Sequence, residues 1–328
     1  MLFPLKCFLK SVITNLGGLL FVISNNYFLK KSLTVFIYHD VSDNPSEFSS
    51  RYNLNVCPET FDYQLRFINN NFNIVSPDDL LNDRIPSKAA LITFDDGFRS
   101  FFTTAIPILV KYNIPSIIFL NMEAIKGAVF WSGLVTYLCE KEDDFRNYVR
   151  NRLSNQIGKR PLFLSCTREI VGDYLKIKKK TFYHEVSHFV GDFATEEDLN
   201  KVSENPLVIF GNHLYNHDVP LLMSNNSLLE SYNKNVMELN KYYNYRDIFS
   251  FPFGQPVTSY DKSQVEIILK NGAARVFRST GSINFNVRSL YLDRITLTSS
   301  HDSAAKIWFQ VFQRTTREWL RSLIKHGA

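Results

Sequence analysis

Cysteines are few in this sequence, and none lies close to another. The four are Cys7, Cys57, Cys139 and Cys166, and no C-x-x-C pair is present. This spacing does not fit a zinc knuckle or a disulfide framework. A reducing compartment is the simpler expectation, and we predict a cytoplasmic protein.

A strong excess of one charge is also lacking. The net charge is +5 over 328 residues, and the one sustained basic run, residues 176–180, is typical of a solvated helix face. Nucleic-acid binding is therefore not predicted. Repeats and low-complexity tracts are absent too, and a hydrophobic fraction of 45% predicts a sizeable core.

The apolar stretch near the N-terminus, residues 12–23, is too short to span a bilayer comfortably. It follows Lys6 and Lys10 like a signal-peptide core, yet no convincing small-x-small cleavage site follows it. Apolar residues recur there at helical spacing, which predicts an amphipathic segment over residues 1–31. Its apolar face either makes peripheral contact with the inner membrane surface or docks on the folded domain.

From residue 32 to residue 328 the pattern alternates between strands and helices. Strands are predicted at residues 33–38, 89–94, 115–120, 206–210 and 248–251, and helices at 61–69, 101–112, 228–243 and 304–324. Successive βα units imply parallel strands with helices outside, hence a barrel or an open α/β sheet. Residues 123–205 break this rhythm and predict a helical insertion, with Trp131 and Leu134 packing it against the domain.

Residues that could form a functional site, called the marked residues below, follow four of the predicted strands. They are His39, the pair Asp95 and Asp96, the pair His213 and His217, and the segment Phe253-Gly254. Because loops at the carboxyl ends of parallel strands converge on one mouth, these residues are expected to lie close together.

An Asp and two His residues form a ligand set suited to zinc or a similar divalent ion. His213 and His217 are four residues apart, which would place them on one face of a helical turn that Pro220 ends. Each motif alone is weak, since Asp-Asp-Gly is most often a surface turn. Together, at matching strand ends, they predict a metal site with Asp95 as a nearby base.

Several segments resemble the polysaccharide deacetylase family, also called the NodB-homology or carbohydrate esterase family 4 domain. They are residues 38–41, 61–68, 74–76, 91–98, 107–109 and 114–120. The Thr-Phe-Asp-Asp-Gly sequence at residues 93–97 is the most specific of these marks.

The resemblance implies a distorted (β/α) barrel in which Asp96, His213 and His217 bind the metal and Asp95 is the general base. It also implies hydrolysis of the acetyl group of an N-acetylated sugar, in a cell-surface polysaccharide or its precursor. Zinc is the favoured ion, and Co²⁺, Ni²⁺, Mn²⁺ or Fe²⁺ would also suit. The resemblance assigns the backbone N–H of Phe253 to the developing oxyanion.

The sequence departs from the family pattern at three places. Ser250 and Phe251 occupy the place of the arginine that precedes a Pro-Tyr-Gly-like segment, and the Asp-Trp segment has no counterpart. Residues 292–294, Leu-Asp-Arg, stand where a Leu-x-His would supply the general acid. Arg294 stays charged and cannot deliver a proton near neutral pH, so one hypothesis is that it orients Asp95 and offsets its charge.

Another group must then protonate the leaving amine. His39 is the better candidate, and His301 is the poorer one because it lies in a polar loop. The alternative for His39 is a structural histidine bonded to a backbone carbonyl. Without an acid the chain would be a catalytically impaired barrel that still binds glycans.

A rival motif predicts a metalloprotease. His184, Glu185 and His188 fit the zincin pattern H-E-x-x-H, with Glu204 as the third ligand. Lys178 to Thr181 precede this helix and Gly191-Asp192 cut it short, so a protease is disfavoured. The insertion instead is expected to cover the barrel mouth, which suits a short or carrier-linked acetylated saccharide.

Overall fold

The structure is a computed structural model that describes residues 29–153 and 160–314. Its strands are β1 (Leu33–Tyr38), β2 (Asp40–Val41), β3 (Asn55–Val56), β4 (Asn73–Ile74), β5 (Ala89–Phe94), β6 (Ser116–Leu120), β7 (Val208–Asn212), β8 (Tyr245–Ser250), β9 (Arg275–Arg278) and β10 (Tyr291–Thr296). Strands β1, β10, β9, β8, β7, β6 and β5 pair in this order, and β5 pairs again with β1. All these pairings are parallel, so the seven strands close a barrel.

Helices connect the strands on the outside of the barrel. They are α1 (Glu47–Arg51), α2 (Pro58–Asn71), α3 (Pro77–Leu81), α4 (Ile106–Lys111), α5 (Met122–Ile125), α6 (Trp131–Lys141), α7 (Asp143–Leu153), α8 (Arg168–Lys178), α9 (Tyr183–Val190), α10 (Glu196–Val202), α11 (Asn225–Leu239), α12 (Lys262–Lys270) and α13 (residues 304–314). A π-helical turn, Phe101–Ala105, precedes α4, and 3₁₀ turns cover Leu162–Ser165 and Pro220–Leu222. The predicted distorted (β/α) barrel is thus confirmed.

Apolar side chains point to both faces of the barrel strands and fill the barrel interior. Val35 of β1, Leu91 of β5 and Phe119 of β6 belong to one buried cluster in the barrel interior. Their strand neighbours Phe36 and Ile92 belong to a second cluster, under the surrounding helices. Because successive side chains point to opposite faces, both faces of each strand are apolar and the strands read as continuous apolar runs.

Strands β9 and β10 were missed by the sequence patterns. Four of their residues, Arg275, Arg278, Asp293 and Arg294, are charged and break the apolar run. Strand β7 also differs, since it runs two residues further than predicted, to Asn212, and β8 begins at Tyr245 rather than at residue 248. These shifts leave the predicted marked residues at the carboxyl ends of their strands.

The chain between β6 and β7 folds as helices around its own core. Trp131, Leu134 and Leu138 of α6 are buried in that core, whereas the sequence spacing was expected to pack this helix against the barrel domain. Phe98, which follows β5, and Phe48 of α1 join the same cluster. The insertion therefore packs on the loops that follow the barrel strands.

Both chain ends carry predictions that the structure tests only in part. The amphipathic segment predicted over residues 1–31 lies almost wholly outside the described residues, as do residues 315–324 of the predicted closing helix. In the described part of that helix, Trp308 packs against Phe67 and Phe72. Across residues 29–153 and 160–314, no helix has the length and apolar character needed to cross a bilayer.

Candidate metal centre

Three side chains that are distant in sequence meet at the mouth of the barrel. Asp96, His213 and His217 are buried, and each offers a ligand atom within 4.8 Å of the others. The Nε2 atoms of His213 and His217 lie 3.4 and 3.1 Å from the same Asp96 oxygen, Oδ1. Within the described ranges this is the sole group of three or more such side chains with that geometry. The predicted ligand set is thus brought together.

The turn after β5 aims Asp96 into the mouth. Asp96 has a φ of +73° and Gly97 a φ of +90°. A Cβ at residue 97 would lie 3.0 Å from Ile125 Cδ1 and 3.1 Å from Leu120 Cδ2. Glycine therefore follows the carboxylates because of the backbone angle, and a side chain there would also press on Ile125 and Leu120.

The loop that carries the histidines is not helical, and the predicted helical turn is wrong. Leu214 and His217 have φ values of +60° and +51°, in the left-handed region. Asn121 Nδ2 donates to the carbonyl oxygens of His213 and Leu214, and Asn212 Oδ1 accepts from the Leu214 N–H. These side-chain bonds replace the backbone bonds of a helix. Pro220 begins a 3₁₀ turn instead of ending an α-helix.

Both imidazole rings are oriented through their Nδ1 atoms. His213 Nδ1 lies 2.7 Å from the carbonyl oxygen of Ser250, which only accepts, so Nδ1 donates. His217 Nδ1 lies 2.5 Å from Ser132 Oγ. The Nε2 atoms then face Asp96, as in a metal site whose ligands are held from behind. The sequence does not single out Ser132, because nothing distinguishes it from the other polar residues of the insertion that was expected to cover the mouth.

The charges of this group favour metal binding. Burial would raise the pKa of Asp96, but His217 and His213 hold it well below its usual range. Burial lowers the pKa of His217 against the attraction of Asp96. An ionised carboxylate and a neutral imidazole are the forms that ligate a cation. The three side chains therefore fit a divalent ion.

Asp95 is held by a buried arginine. Arg294 Nη1 and Nη2 donate to Asp95 Oδ1 and Oδ2 over 2.6 and 2.7 Å, in a bidentate pair. Arg294 Nη2 also donates to Ser250 Oγ at 2.7 Å and to Ser279 Oγ at 3.0 Å. Burial would raise the pKa of Asp95, but the Arg294 guanidinium, with His213 beside it, holds it below its usual range. Asp95 is thus an ionised carboxylate. The bidentate contact has the geometry expected if Arg294 orients Asp95 and offsets its charge.

The Phe253-Gly254 turn lines the cavity and has a left-handed backbone. Phe253 and Gly254 have φ values of +63° and +60°. A Cβ at residue 254 would lie 2.7 Å from Ser279 Oγ, and Ser279 N donates to the Gly254 carbonyl at 2.8 Å. The Phe253 N–H makes no hydrogen bond within the described chain. Its role at an oxyanion stays a prediction.

The two candidate acids have different surroundings. His39 lines the same cavity as Asp95, and its buried Nδ1 has no hydrogen-bond partner in the described structure. His301 lies outside the cavity lining, and its Nδ1 accepts the Thr298 N–H at 3.0 Å. Burial lowers the pKa of His301. The geometry keeps His39 as the candidate for proton delivery.

The cavity above these residues has a volume of about 430 Å³. Its walls come from the 48–54 segment, from the insertion and from the loop after β8, and several of its lining residues are aromatic: Phe48, Tyr52, Phe130, Phe163 and Phe253. Apart from His39, Asp95, Asp96, His213 and His217, no acidic, basic or histidine side chain of the described residues lines it. Away from the metal group the lining is therefore uncharged, and it mixes aromatic side chains with neutral polar ones such as Asn53, Gln255 and Thr258.

The rival H-E-x-x-H motif does not form a site. His184 and His188 are exposed on α9, and Glu185 is bound to Lys180 Nζ at 2.7 Å. Glu204 is also exposed and joins no ligand group among the residues that the structure describes. The exposed and dispersed arrangement argues against the predicted zincin alternative.

A family profile matches the part of the chain that carries most of this site. The profile described as polysaccharide deacetylase matches residues 82–276 of the 328-residue chain. This range includes the metal group, Asp95 and Phe253, while His39 and Arg294 lie outside it. No curated protein sequence matches the chain.

Solved structures of bacterial proteins share the fold at low sequence identity. The deacetylase PplD of Streptococcus pyogenes, solved in complex with acetate, has a TM-score of 0.56 and 17% identity, covering 85% of this chain and 98% of its own. IcaB from Ammonifex degensii has a TM-score of 0.56 and 18% identity, with coverages of 86% and 98%. A de-N-acetylase from Aggregatibacter actinomycetemcomitans has a TM-score of 0.57 and 16% identity, with coverages of 85% and 99%. At these identities the likeness establishes the fold.

Proposed function

The chain belongs to the polysaccharide deacetylase family, whose profile covers more than half of it, and we propose that it is a metal-dependent enzyme that removes acetyl groups from N-acetylated sugars. The prediction of a polysaccharide deacetylase is thus confirmed at the level of the family. The substrate would be a cell-surface polysaccharide or its precursor.

One observation carries this proposal. The ligand group of Asp96, His213 and His217 lies beside the ionised Asp95, whose Oδ2 is 3.8 Å from His213 Nε2. Hydrolysis of an amide needs an electrophilic centre and a proton acceptor next to each other, because the carbonyl is a poor electrophile.

The residues divide the reaction among them. A divalent ion held by Asp96, His213 and His217 would polarise the amide carbonyl and make water more acidic. Asp95 accepts the proton as water attacks, and Arg294 keeps its carboxylate ionised and oriented. The Phe253 N–H donates to the developing oxyanion. His39 protonates the leaving nitrogen, so that a free amine and acetate are produced.

Two imidazole nitrogens and one carboxylate oxygen favour Zn²⁺ as the native ion. Co²⁺, Ni²⁺, Mn²⁺ and Fe²⁺ accept the same donor types, and the ligand set alone does not choose among them.

The shape of the cavity supports a short or carrier-linked saccharide. Phe130, Ser132, Phe163 and Leu164 of the insertion line it together with Phe253, so the insertion forms a wall of the cavity beside the metal group. Such a wall leaves less room for a long polymer. No Lys or Arg of the described residues lines the cavity, so the phosphates of a lipid- or nucleotide-linked sugar would remain outside it. Aromatic rings suit the apolar face of a sugar ring.

The place of action stays a prediction. The wide spacing of the cysteines favours a cytoplasmic enzyme, and the predicted N-terminal helix favours the inner membrane surface. An enzyme there would act on precursors of the cell-surface polysaccharide before export.

An acetate-release assay tests the proposal. Protein stripped of metal and reloaded with each candidate ion is expected to release acetate from short acetylated saccharides, and lipid- or nucleotide-linked sugars serve as further substrates. His213→Ala should lower the rate at least about 100-fold, because a bound ion contributes several kcal/mol to transition-state stabilisation. His188→Ala, at an exposed histidine of α9, is the matched control and should act like the parent.

Two outcomes would contradict this proposal. Loss of the bound metal in His188→Ala but not in His213→Ala would favour the protease alternative. A preference for long chitin-like chains over short or carrier-linked sugars would contradict the walled cavity.

His39→Gln is expected to separate amide from ester hydrolysis. An amine must be protonated to leave, whereas the phenolate of an aryl acetate leaves without a proton. The variant should therefore lose about 10²- to 10⁴-fold on the N-acetyl sugar and much less on the aryl acetate, measured as kcat/KM. His301→Gln should leave both rates near those of the parent. Equal losses on the two substrates would show that His39 does not supply the proton.

A further inference from the structure

We propose that the helical insertion is a working part of the metal centre, in which Ser132 and Arg168 position the loop that carries His217. The inference rests on the proposed function insofar as Asp96, His213 and His217 hold a divalent ion. It adds that residues from outside the barrel set the affinity for that ion.

The loop needs such support because its backbone is strained. Leu214 and His217 both have positive φ values, which L side chains rarely adopt. Such angles persist where the surroundings fix them. Asn121 and Asn212 bond the first part of the loop, at His213 and Leu214. In the second part, Ser231 of α11 bonds the Asn216 side chain, and the insertion bonds His217 and the residues on both sides of it.

Ser132, in the first turn of α6, touches the metal ligand itself. Its Oγ lies 2.5 Å from His217 Nδ1, and 5% of the residue is exposed. When Nδ1 carries the proton, it donates to the hydroxyl and leaves the Nε2 lone pair directed at Asp96. The ring centres of Phe130 and Phe253 lie 5.0 and 4.9 Å from the imidazole centre, so both rings pack against it. The hydroxyl therefore selects the orientation in which His217 can ligate.

Arg168, the first residue of α8, bonds the residues on both sides of His217. Its Nη2 donates to the Asn216 carbonyl at 3.0 Å, and its Nε donates to the Asp218 carboxylate at 2.8 and 3.1 Å. The same guanidinium donates to Glu123 Oε2 at 2.7 Å and lies 4.6 Å from the Trp131 ring centre. Since 41% of the side chain is exposed, each ion pair is weak, and the rigid fork supplies geometry more than energy.

The two contacts act on three successive residues, 216 to 218, and both come from helices of the insertion. Ser132 fixes the ring of His217, and Arg168 fixes the backbone before it and the side chain after it. Ser132 and Arg168 are therefore positioning residues. They act on the reaction through His217.

Zinc affinity, measured by competition with a chromophoric chelator, is the test for Ser132. Ser132→Ala should bind Zn²⁺ about 10- to 100-fold more weakly, the usual loss when the partner of a ligating histidine is removed. Ser132→Thr keeps the hydroxyl and should restore most of the affinity. Ser187→Ala, at an exposed serine of α9, is the matched control and should bind like the parent. The melting temperature without metal reports separately on folding.

Arg168→Met keeps the aliphatic part of the side chain and removes the guanidinium group. It should weaken Zn²⁺ binding between about twofold and thirtyfold, the range for residues that act through a ligand. Arg152→Met is its matched control, because Arg152 pairs with Glu169 and Asp173 within the insertion and does not contact the loop. Arg152→Met should leave the affinity unchanged.

The outcomes separate this inference from the proposed function. Parent-like affinity in Ser132→Ala overturns the inference alone, as does equal weakening in Ser132→Ala and Ser132→Thr with unchanged melting of the metal-free protein. If the parent binds no divalent ion, or if His213→Ala binds the ion as tightly as the parent does, both the inference and the proposed function are overturned.

Discussion

Asp95→Asn is expected to lower kcat by about 10²- to 10⁴-fold and to leave the affinity for the metal unchanged. Asp95 is 4% exposed, and Arg294 holds its pKa below the usual range against the effect of burial. It is therefore ionised at neutral pH and able to accept a proton. An amide of the same shape cannot, because its oxygen is a much weaker base.

Acetate release and Zn²⁺ affinity measured on the same protein check this result. Asp192→Asn, which removes an exposed carboxylate, is the matched control and should behave like the parent. Unchanged acetate release from Asp95→Asn would mean that another group accepts the proton. If the parent releases no acetate with any ion, while parent and variant bind glycan equally, the chain is the impaired glycan-binding barrel.

Arg294→Met is expected to cost about 3–5 kcal/mol in the free energy of unfolding at pH 7. Arg294 is fully buried and donates to both carboxylate oxygens of Asp95. Its loss leaves a buried carboxylate without its cation, which is far costlier than the loss of an exposed pair. Arg288→Met, at an exposed arginine that precedes β10, is the control and should change stability little.

The cost of Arg294→Met should depend on pH with a definite sign. In the parent the pKa of Asp95 is lowered, so its stabilising effect is present above the usual carboxyl range and is lost as pH falls through the lowered pKa. In the variant burial raises the pKa of Asp95 unopposed, so protonation as pH falls relieves the cost. The difference in unfolding free energy between parent and variant should therefore shrink on acidification.

Urea unfolding at several pH values measures this difference. The acid limb of kcat/KM should move to higher pH in Arg294→Met, because a larger fraction of Asp95 is protonated. The double variant Asp95→Asn/Arg294→Met removes both charges and should recover part of the lost stability. A cost that stays constant from neutral to acid pH would contradict the ion pair as its source.

The convergence of the marked residues could be predicted from the sequence. Asp96 and His213 each follow a strand made of apolar residues, and parallel strands deliver the residues after them to one mouth. The convergence follows from the common direction of the strands.

The conformation of the histidine loop could not be predicted in the same way. A four-residue spacing between His213 and His217 fits a helix and fits the observed loop equally well. The loop conformation is selected by Asn121, which is distant in sequence, and by Asn212, which directly precedes the motif. Both side chains bond the loop backbone. Such tertiary bonds override local periodicity.

The residues that hold the site side chains in place could not be predicted from the sequence patterns either. Ser132 is an ordinary helical serine in sequence, and only the packing of the insertion brings it to His217. Arg294 was noticed through the family pattern, yet β10 itself was missed because its charged residues break the apolar run. Charges that point into a barrel mouth look, in sequence, like a solvated loop.

The close packing of Gly254 on Ser279 ties the two halves of the reaction together. Ser279 donates its N–H to the Gly254 carbonyl, beside the Phe253 N–H, and its hydroxyl accepts from the arginine that holds Asp95. One serine thus braces both the donor that meets the growing negative charge and the acceptor that takes up the proton. A side chain added at residue 254 would push on that brace, so any disturbance there reaches proton uptake and charge stabilisation at once.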